Sequence, residues 1–392
     1  MTTKPSTRGG YINRRQPAAS EHDCVFAFGR VILMETDVSH ETLRIAALAP
    51  PATATRRNVK KWLASEPTAG FTLDISWVDN LRLAMDSLAE FEVDLLAVDA
   101  ATWFDLFPES DPADFPVATS LARREANLIL CADDRPGYLV HNAIVFCEDL
   151  LATHQLVRYR PDVNFVHPTA WAEKMGLPAP SEDPVERVEW MEALRGGGAI
   201  DGYVIPRHLY TDANLNCRRT TLTSDVKEGD SHRFLPRAMA GLTLLVSRPA
   251  FPEAVAERLG DAESLTAWRC ERILAAAVAP EHADNVGMLV RHRQVPSLLR
   301  QAEQERDLMR ARNLLDEEGE IRDPEPKVEL MIELVQPDGK RTLVIERLVP
   351  LAESMTAARF MVNDWNIMVD KVLEAHPEDV RLGPARPPFF DL

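Results

Sequence analysis

The stretch Glu92–Asp105, EVDLLAVDAATWFD, reads as a buried strand that ends on an acid. Leu95, Leu96, Ala97 and Val98 form a short continuous apolar run, the pattern of a parallel strand covered on both faces. Asp99 closes the run, two alanines and Thr102 follow, and Trp103 comes next, read here as exposed. Open α/β sheets bind ligands beyond the carboxyl ends of their strands. An acid and an aromatic at such an end are therefore read as the edge of a pocket.

Working outward, strands and helices alternate. Arg44–Ala49 (RIAALA) is a short apolar strand stopped by Pro50-Pro51, and Val59, Trp62 and Leu63 give TATRRNVKKWLASE a helical spacing. Phe71–Val78 is β-rich, and Asn80–Phe91 carries Leu81, Leu83, Ala84, Leu88 and Ala89 on one helical face. Strand–helix–strand–helix–strand implies a parallel sheet with right-handed crossovers. A second unit follows the same plan: a strand region over Gly137–Phe146, a helix in EDLLATHQLVRYRPD, the strand VNFVHP, the helix VERVEWMEALRGG and the strand Ala199–Arg207. FEVDLLAVDA and GAIDGYVIPR both follow a helix, both carry an acid before an apolar run, and both end on a polar residue. Two such lobes face each other across a cleft.

Leu242–Arg248 (LTLLVSR) reads as a strand returning to the first lobe, followed by two helices in PEAVAERLGD and ESLTAWRCERILAAAV. Next comes the charged stretch QAEQERDLMRARNLLDEEGEIRDPEPK, a solvated helix and loop or a partner-binding arm. Two alternating strands flank Pro337-Asp338-Gly339, a hairpin signal, and a helix over Glu353–Ala375 packs on them. The expected division is a polar tail over 1–40, lobe 1 over 41–135 and 232–260, lobe 2 over 136–231, and a C-terminal domain over 261–392 with the charged insertion near 301–327.

The chain of 392 residues is long enough for two or three domains, and a net charge of −17 argues against general nucleic-acid binding. No apolar run reaches the roughly 18–20 residues that span a bilayer, and the N-terminus has no apolar signal core. Five scattered cysteines without a CxxC pair fit free thiols in a reducing cytoplasm. Ten scattered histidines form no metal-ligand spacing, so no metal is expected; Arg291-His292-Arg293 is read as a solvated strand or loop.

The order of these segments resembles the hydroxymethylbilane synthase (porphobilinogen deaminase) family over roughly Arg44 to Glu374. RIAALAPPATATRRNVKKWL resembles the family's RIATRxSPLAL opening, VDLLAVDAATW its ADIAVHSMKD, and YRPDVNF its RRPDL. GGGAIDGYVIP resembles GEYDAIILA, LPRAMAGLTLLVSR resembles LPAxGQGAxGIxxR, and AWRCERILAAAV resembles LRVxAERAxxxxL. The resemblance implies an α/β fold of two type II periplasmic-binding-protein-like lobes plus a small α+β C-terminal domain. It also implies a dipyrromethane cofactor on a C-terminal-domain cysteine, a cleft aspartate for proton transfer, and arginines for the pyrrole carboxylates.

Residue by residue, that machinery is missing. The family's aspartate in VHSMKD falls on Trp103, its lysine on Thr102 and its histidine on Asp99. SSLRR falls on Glu148-Asp149-Leu150-Leu151-Ala152, RGN on Thr169-Ala170-Trp171, and the cofactor cysteine on His282. No cysteine follows Cys270, so a covalent dipyrromethane is not expected and no other cofactor is implied. Acids in place of arginines repel polycarboxylate pyrroles.

The candidate site therefore consists of Asp99 and His282 as acid–base groups, with Thr102, Trp103, Arg124, Glu148, Asp149, His167, Trp171 and Arg207 as ligand contacts. Acids with indoles suit a cationic or neutral aromatic ligand. Each residue has a plainer alternative: the tryptophans as lobe packing, the acids as helix N-caps, His282 as a surface loop residue, and Cys147 as a buried thiol instead of a nucleophile. Arg207, by the internal repeat equivalent to Asp99, is a candidate for a pair with it across the cleft. The leading expectation is a family-like protein repurposed for a different small molecule, in specialised metabolism. If it is an enzyme, the expected activity is a transferase- or ligase-like biosynthetic one. The alternatives are hydroxymethylbilane synthesis itself and a non-catalytic ligand-binding or partner protein. A cytoplasmic location is expected, with no membrane or nucleic-acid partner and with any protein partner meeting the tail or the charged insertion.

Overall fold

The computed structural model describes residues 41–50, 53–65, 71–225 and 233–373. The tail over 1–40, with Cys24, and the last two residues of the expected helix Glu353–Ala375 lie outside the described residues. The first lobe runs β1 (Glu41–Leu48), α1 (Ala54–Leu63), β2 (Phe71–Val78), α2 (Leu81–Ala89), β3 (Leu95–Asp99), α3 (Ala100–Leu106) and β4 (Val117–Leu121). The second lobe holds β5 (Leu128–Ala132), β6 (Ile144–Cys147), α4 (Leu150–Tyr159), β7 (Asn164–Val166), α5 (Pro168–Lys174), α6 (Pro184–Gly196), β8 (Gly202–Pro206), α7 (Arg207–Asp212) and β9 (Arg219–Thr221). The chain returns through β10 (Thr243–Ser247) and α8 (Glu253–Leu259). It then builds α9 (Ala262–Ala275), a 3-10 turn over Pro280–Asn285, β11 (Val286–Arg293), α10 (Val295–Glu305), α11 (Leu308–Leu314), β12 (Lys327–Val335), β13 (Thr342–Pro350) and α12 (Ser354–Leu373).

The two large sheets have orders β2-β1-β3-β10-β4 and β7-β6-β8-β5-β9. In each, three strands are parallel, and the next is an antiparallel strand supplied by the crossing from the other lobe: β10 against β3, and β5 against β8. This mirrored order is that of type II periplasmic-binding-protein-like lobes. The third sheet, β11-β12-β13, is fully antiparallel, which makes the C-terminal part a small α+β domain.

One expected boundary moves. β5 pairs with β8 and β9, so lobe 2 begins at Leu128 and not at 136. The physical reason is the mirrored topology, which needs a crossing strand in each sheet. The charged insertion is also not a free arm. Val295, Leu298 and Leu314 are buried against Ile321 and Leu348, and Arg310 reaches Glu329 at 3.1 Å and Glu346 at 2.6 Å.

Lobe 1 and the C-terminal domain share one apolar core, in which Trp103, Trp268 and Trp365 are all buried. On β12, Val328, Leu330, Ile332 and Leu334 point into that core. The alternate residues Glu329 and Glu333, only 2% exposed, face the other way and meet arginines. Arg158 of α4 pairs with Glu333 at 2.5 Å, and Arg291, Arg293 and Arg310 surround Glu329. Lobe 2 is thus held to the C-terminal sheet by charge and lobe 1 by apolar packing.

The two crossings between lobes run side by side, with the Arg124 backbone N–H donating to Gly241 O at 3.0 Å. Gly241 has φ +73°, and a Cβ there would lie 2.1 Å from Arg124 O, so only glycine fits. Above this contact sits Glu271 of α9, fully buried. Its carboxylate accepts from Arg123 Nη1 at 2.5 Å, Arg123 Nη2 at 3.2 Å, Met239 N at 2.7 Å and Val290 N at 2.8 Å. Removing one partner of a buried pair costs about 3–5 kcal/mol. Glu271→Ala is expected to lower stability by about that amount, read as a fall in the urea midpoint. Glu148→Gln, which breaks only the part-exposed pair with Arg187 and leaves the junction intact, is expected to cost less than about 1 kcal/mol; equal losses overturn the special weight given to Glu271.

Candidate functional site

Helix N-caps take up most of the acids at the strand ends. Asp99 caps α3, accepting from Thr102 N at 3.1 Å and from the Thr102 hydroxyl at 3.4 Å. Asp149 caps α4, accepting from Ala152 N at 2.8 Å, and His167 caps α5 through Nδ1, which accepts from Thr169 N at 3.3 Å. Glu148 is exposed and bound to Arg187 of α6 at 2.9 Å. Loss of solvent around the Asp99 carboxyl pushes its pKa up, the Thr102 hydrogen bonds oppose that, and the neighbouring Asp105 charge adds to the rise.

Both indoles leave the expected site. Trp103 is fully buried, its Nε1 donating to Asp111 at 3.1 Å and its ring 4.7 Å from Phe107. Trp171, half-buried, packs edge-on against Phe146 at 5.2 Å, and with Trp190 it covers the second lobe's core. The reason for the first correction is that α3 starts immediately after Asp99. A residue three places into a helix turns back toward the core, whereas Ala101, Phe104, Asp105 and Pro108 share the opposite face.

That opposite face lines a cavity of about 490 Å³. Its other walls are Arg237, Ala238 and Met239 from the second crossing, the end of α9, Pro280 and Ala283 of the 3-10 turn, and Val286 and Met288 of β11. Apart from Asp105 and Arg237 the lining carries no charge. Arg237 is already engaged, its Nε donating to Asp149 at 2.7 Å and its Nη1 to Asp284 at 3.0 Å. His282 lies in the same turn, half-buried, and is not part of the lining.

The remaining expected contacts sit elsewhere. Arg207 is exposed at the first position of α7; the strand end that matches Asp99 is Pro206, one residue earlier. The expected Asp99–Arg207 pair is not among the described ion pairs. The lobes meet instead through Arg57 of α1, which approaches Asp212 at 3.7 Å and donates to His208 O at 3.4 Å. Arg57 Nε and Lys61 Nζ also reach Glu125 in the first crossing, at 3.3 and 2.5 Å. Arg124 is half-buried and lines neither cavity beside Arg237, while its neighbour Arg123 supports Glu271. Burial pushes the Cys147 thiol up to about 12, which leaves it a poor nucleophile. Sequence reading missed Phe104, Asp105 and Arg237. The 101/104/105/108 spacing was the available signal for the first two.

An Asp with a raised pKa binds its proton more tightly folded than unfolded, so stability falls as pH rises from the unfolded pKa through the folded one. Asn caps a helix as well as Asp does. Asp99→Asn is therefore expected to melt higher than the parent at pH 7, with the gap closing once pH drops below about 4. A variant that melts lower at pH 7, with the same gap in acid, contradicts this account of Asp99.

No protein-family model and no curated protein matches the sequence. Solved structures similar to it include a ligand-binding component of an ABC-type import system from Staphylococcus aureus, at 16% identity over 60% of this chain and 74% of that one, with a TM-score of 0.28. An ABC transporter protein from Parabacteroides distasonis covers 86% of this chain and 96% of its own at 11% identity, with a TM-score of 0.35. The reduced OxyR regulatory domain from Pseudomonas aeruginosa covers 56% and 95% at 14% identity, with a TM-score of 0.26. The assignment of the lobes rests on their own strand orders.

Proposed function

We propose that this chain binds a small, largely apolar molecule that is neutral or cationic, in the cavity between α3, the second crossing and the 280–285 turn. The observation that carries the reading is the balance of charge there. The cavity of about 490 Å³ is apolar, its cation Arg237 is engaged by two carboxylates, and Asp105 is exposed beside it. The size falls within the 300–1,000 Å³ typical of small-molecule sites. A carboxylate ligand would add a charge beside Asp105, next to an Arg237 whose charge Asp149 and Asp284 already offset.

The test is a matched panel on the purified chain: phenethylamine and phenethyl alcohol against 3-phenylpropionate, followed by thermal shift and calorimetry. Amine and alcohol are expected to raise the melting temperature, since ligand at about 100 times Kd stabilises by about 2.7 kcal/mol. A shift produced by the acid alone overturns the charge argument, and no shift with any member overturns the cavity reading.

The same reading takes the chain as a diverged relative of the hydroxymethylbilane synthase family, repurposed for another ligand. Two type II lobes with an α+β C-terminal domain support it, and an ungapped count from the AWRCER match sets His282 opposite the family's cofactor cysteine. Intact mass is expected to equal that of the polypeptide without a dipyrrole adduct, and porphobilinogen is expected to persist on incubation. An adduct with porphobilinogen consumption restores the family's own activity and removes the proposal.

One observation favours an enzyme over a pure binder. Burial raises the pKa of Asp99, which caps α3 at the carboxyl end of the central strand β3, six residues before the cavity-lining Asp105. A carboxyl so tuned can pass a proton to a bound base. With a turned-over substrate, Asp99→Asn is expected to abolish the rate while leaving ligand affinity intact.

A further inference from the structure

The cavity beside α3 is not alone. A second one, of about 110 Å³, lies among Leu128, Leu151, Leu222, Phe234 and Leu235, between the start of α4 and the crossings. Arg237 is the one residue common to both linings. Its neighbour Pro236 lines the smaller space, and its neighbours Ala238 and Met239 line the larger. The side chain is pinned at Nε by Asp149, the cap of α4, and at Nη1 by Asp284, in the 3-10 turn. A guanidinium held from two sides has little freedom to swing away.

We propose that Arg237 is a partition that sets the longest ligand this cavity accepts. The inference rests on the ligand-binding reading above and adds a specificity determinant to it. The larger cavity receives the apolar body of the ligand, and growth of that body toward α4 stops at the guanidinium. Behind it lies apolar space too small for a ring, since an empty cavity of about 150 Å³ is what holds benzene, yet open to a short alkyl segment. Removal of the side chain joins the two spaces.

The experiment uses primary n-alkylamines from butylamine to decylamine, titrated calorimetrically into the full chain. In the parent protein affinity is expected to rise about fourfold per methylene and then to level off when the larger cavity is full. In Arg237→Ala the levelling is expected at chains longer by about two methylenes or more. Arg237→Met loses the same ion pairs but keeps a side chain of similar length, so its levelling point is expected to stay with the parent. That variant separates obstruction from general loosening of the junction. An unmoved levelling point in Arg237→Ala overturns the partition alone, as does an equal displacement in both variants. Absence of binding by every amine to the parent overturns the ligand-binding reading and the partition with it.

Discussion

A single carboxylate joins the parts of this molecule. Glu271 is fully buried and accepts hydrogen bonds from Arg123 in one crossing, Met239 in the other and Val290 at the start of the C-terminal sheet. A buried carboxylate with no partners would cost many kcal/mol, and it would shed its charge instead. Here every donor comes from a different segment, so the charge is tolerable only when all three segments are in place. The arrangement converts an electrostatic liability into a condition on tertiary structure. Packing of Gly241 against Arg124 O then fixes how closely the crossings approach.

From this junction the character of the site follows. The second crossing carries Met239 to Glu271 and, two residues earlier, Arg237 toward Asp149 and Asp284. The cavity wall is therefore built by lobe 1, the second crossing and the C-terminal domain together. Its surroundings contain more acid than base, in keeping with the acidic chain as a whole. The strand-end acids Asp99 and Asp149 serve first as helix caps, and burial pushes the pKa of Asp99 up.

Much of the fold was legible because its strands are strongly patterned. Leu95–Asp99 and Gly202–Pro206 carry unbroken apolar runs, and the β12–β13 hairpin alternates around a Pro-Asp-Gly turn. β9, with three residues, gives no periodicity to read, and β5 is short enough that its lobe is decided by pairing and not by its own sequence. The site was less legible. Helix α3 has seven residues, too few to reveal its inward face, so Trp103 was placed in the cleft when it belongs to the core. Arg237 was not found because its partners are 88 and 47 residues away, and such pairings leave no trace in local spacing.

Lobe 2 leaves lobe 1 and returns to it through strands of backbone one hydrogen bond apart. A segment whose ends meet so closely imposes little closure entropy on the host, whatever its length. The apolar core joining lobe 1 to the C-terminal domain does not depend on it. Lobe 2 therefore has the layout of an exchangeable cassette. Any replacement must still present a cation opposite Glu333, as Arg158 now does, because that acid stays behind on the C-terminal sheet. Divergence of lobe 2 is thus permitted by topology and restricted by one buried charge.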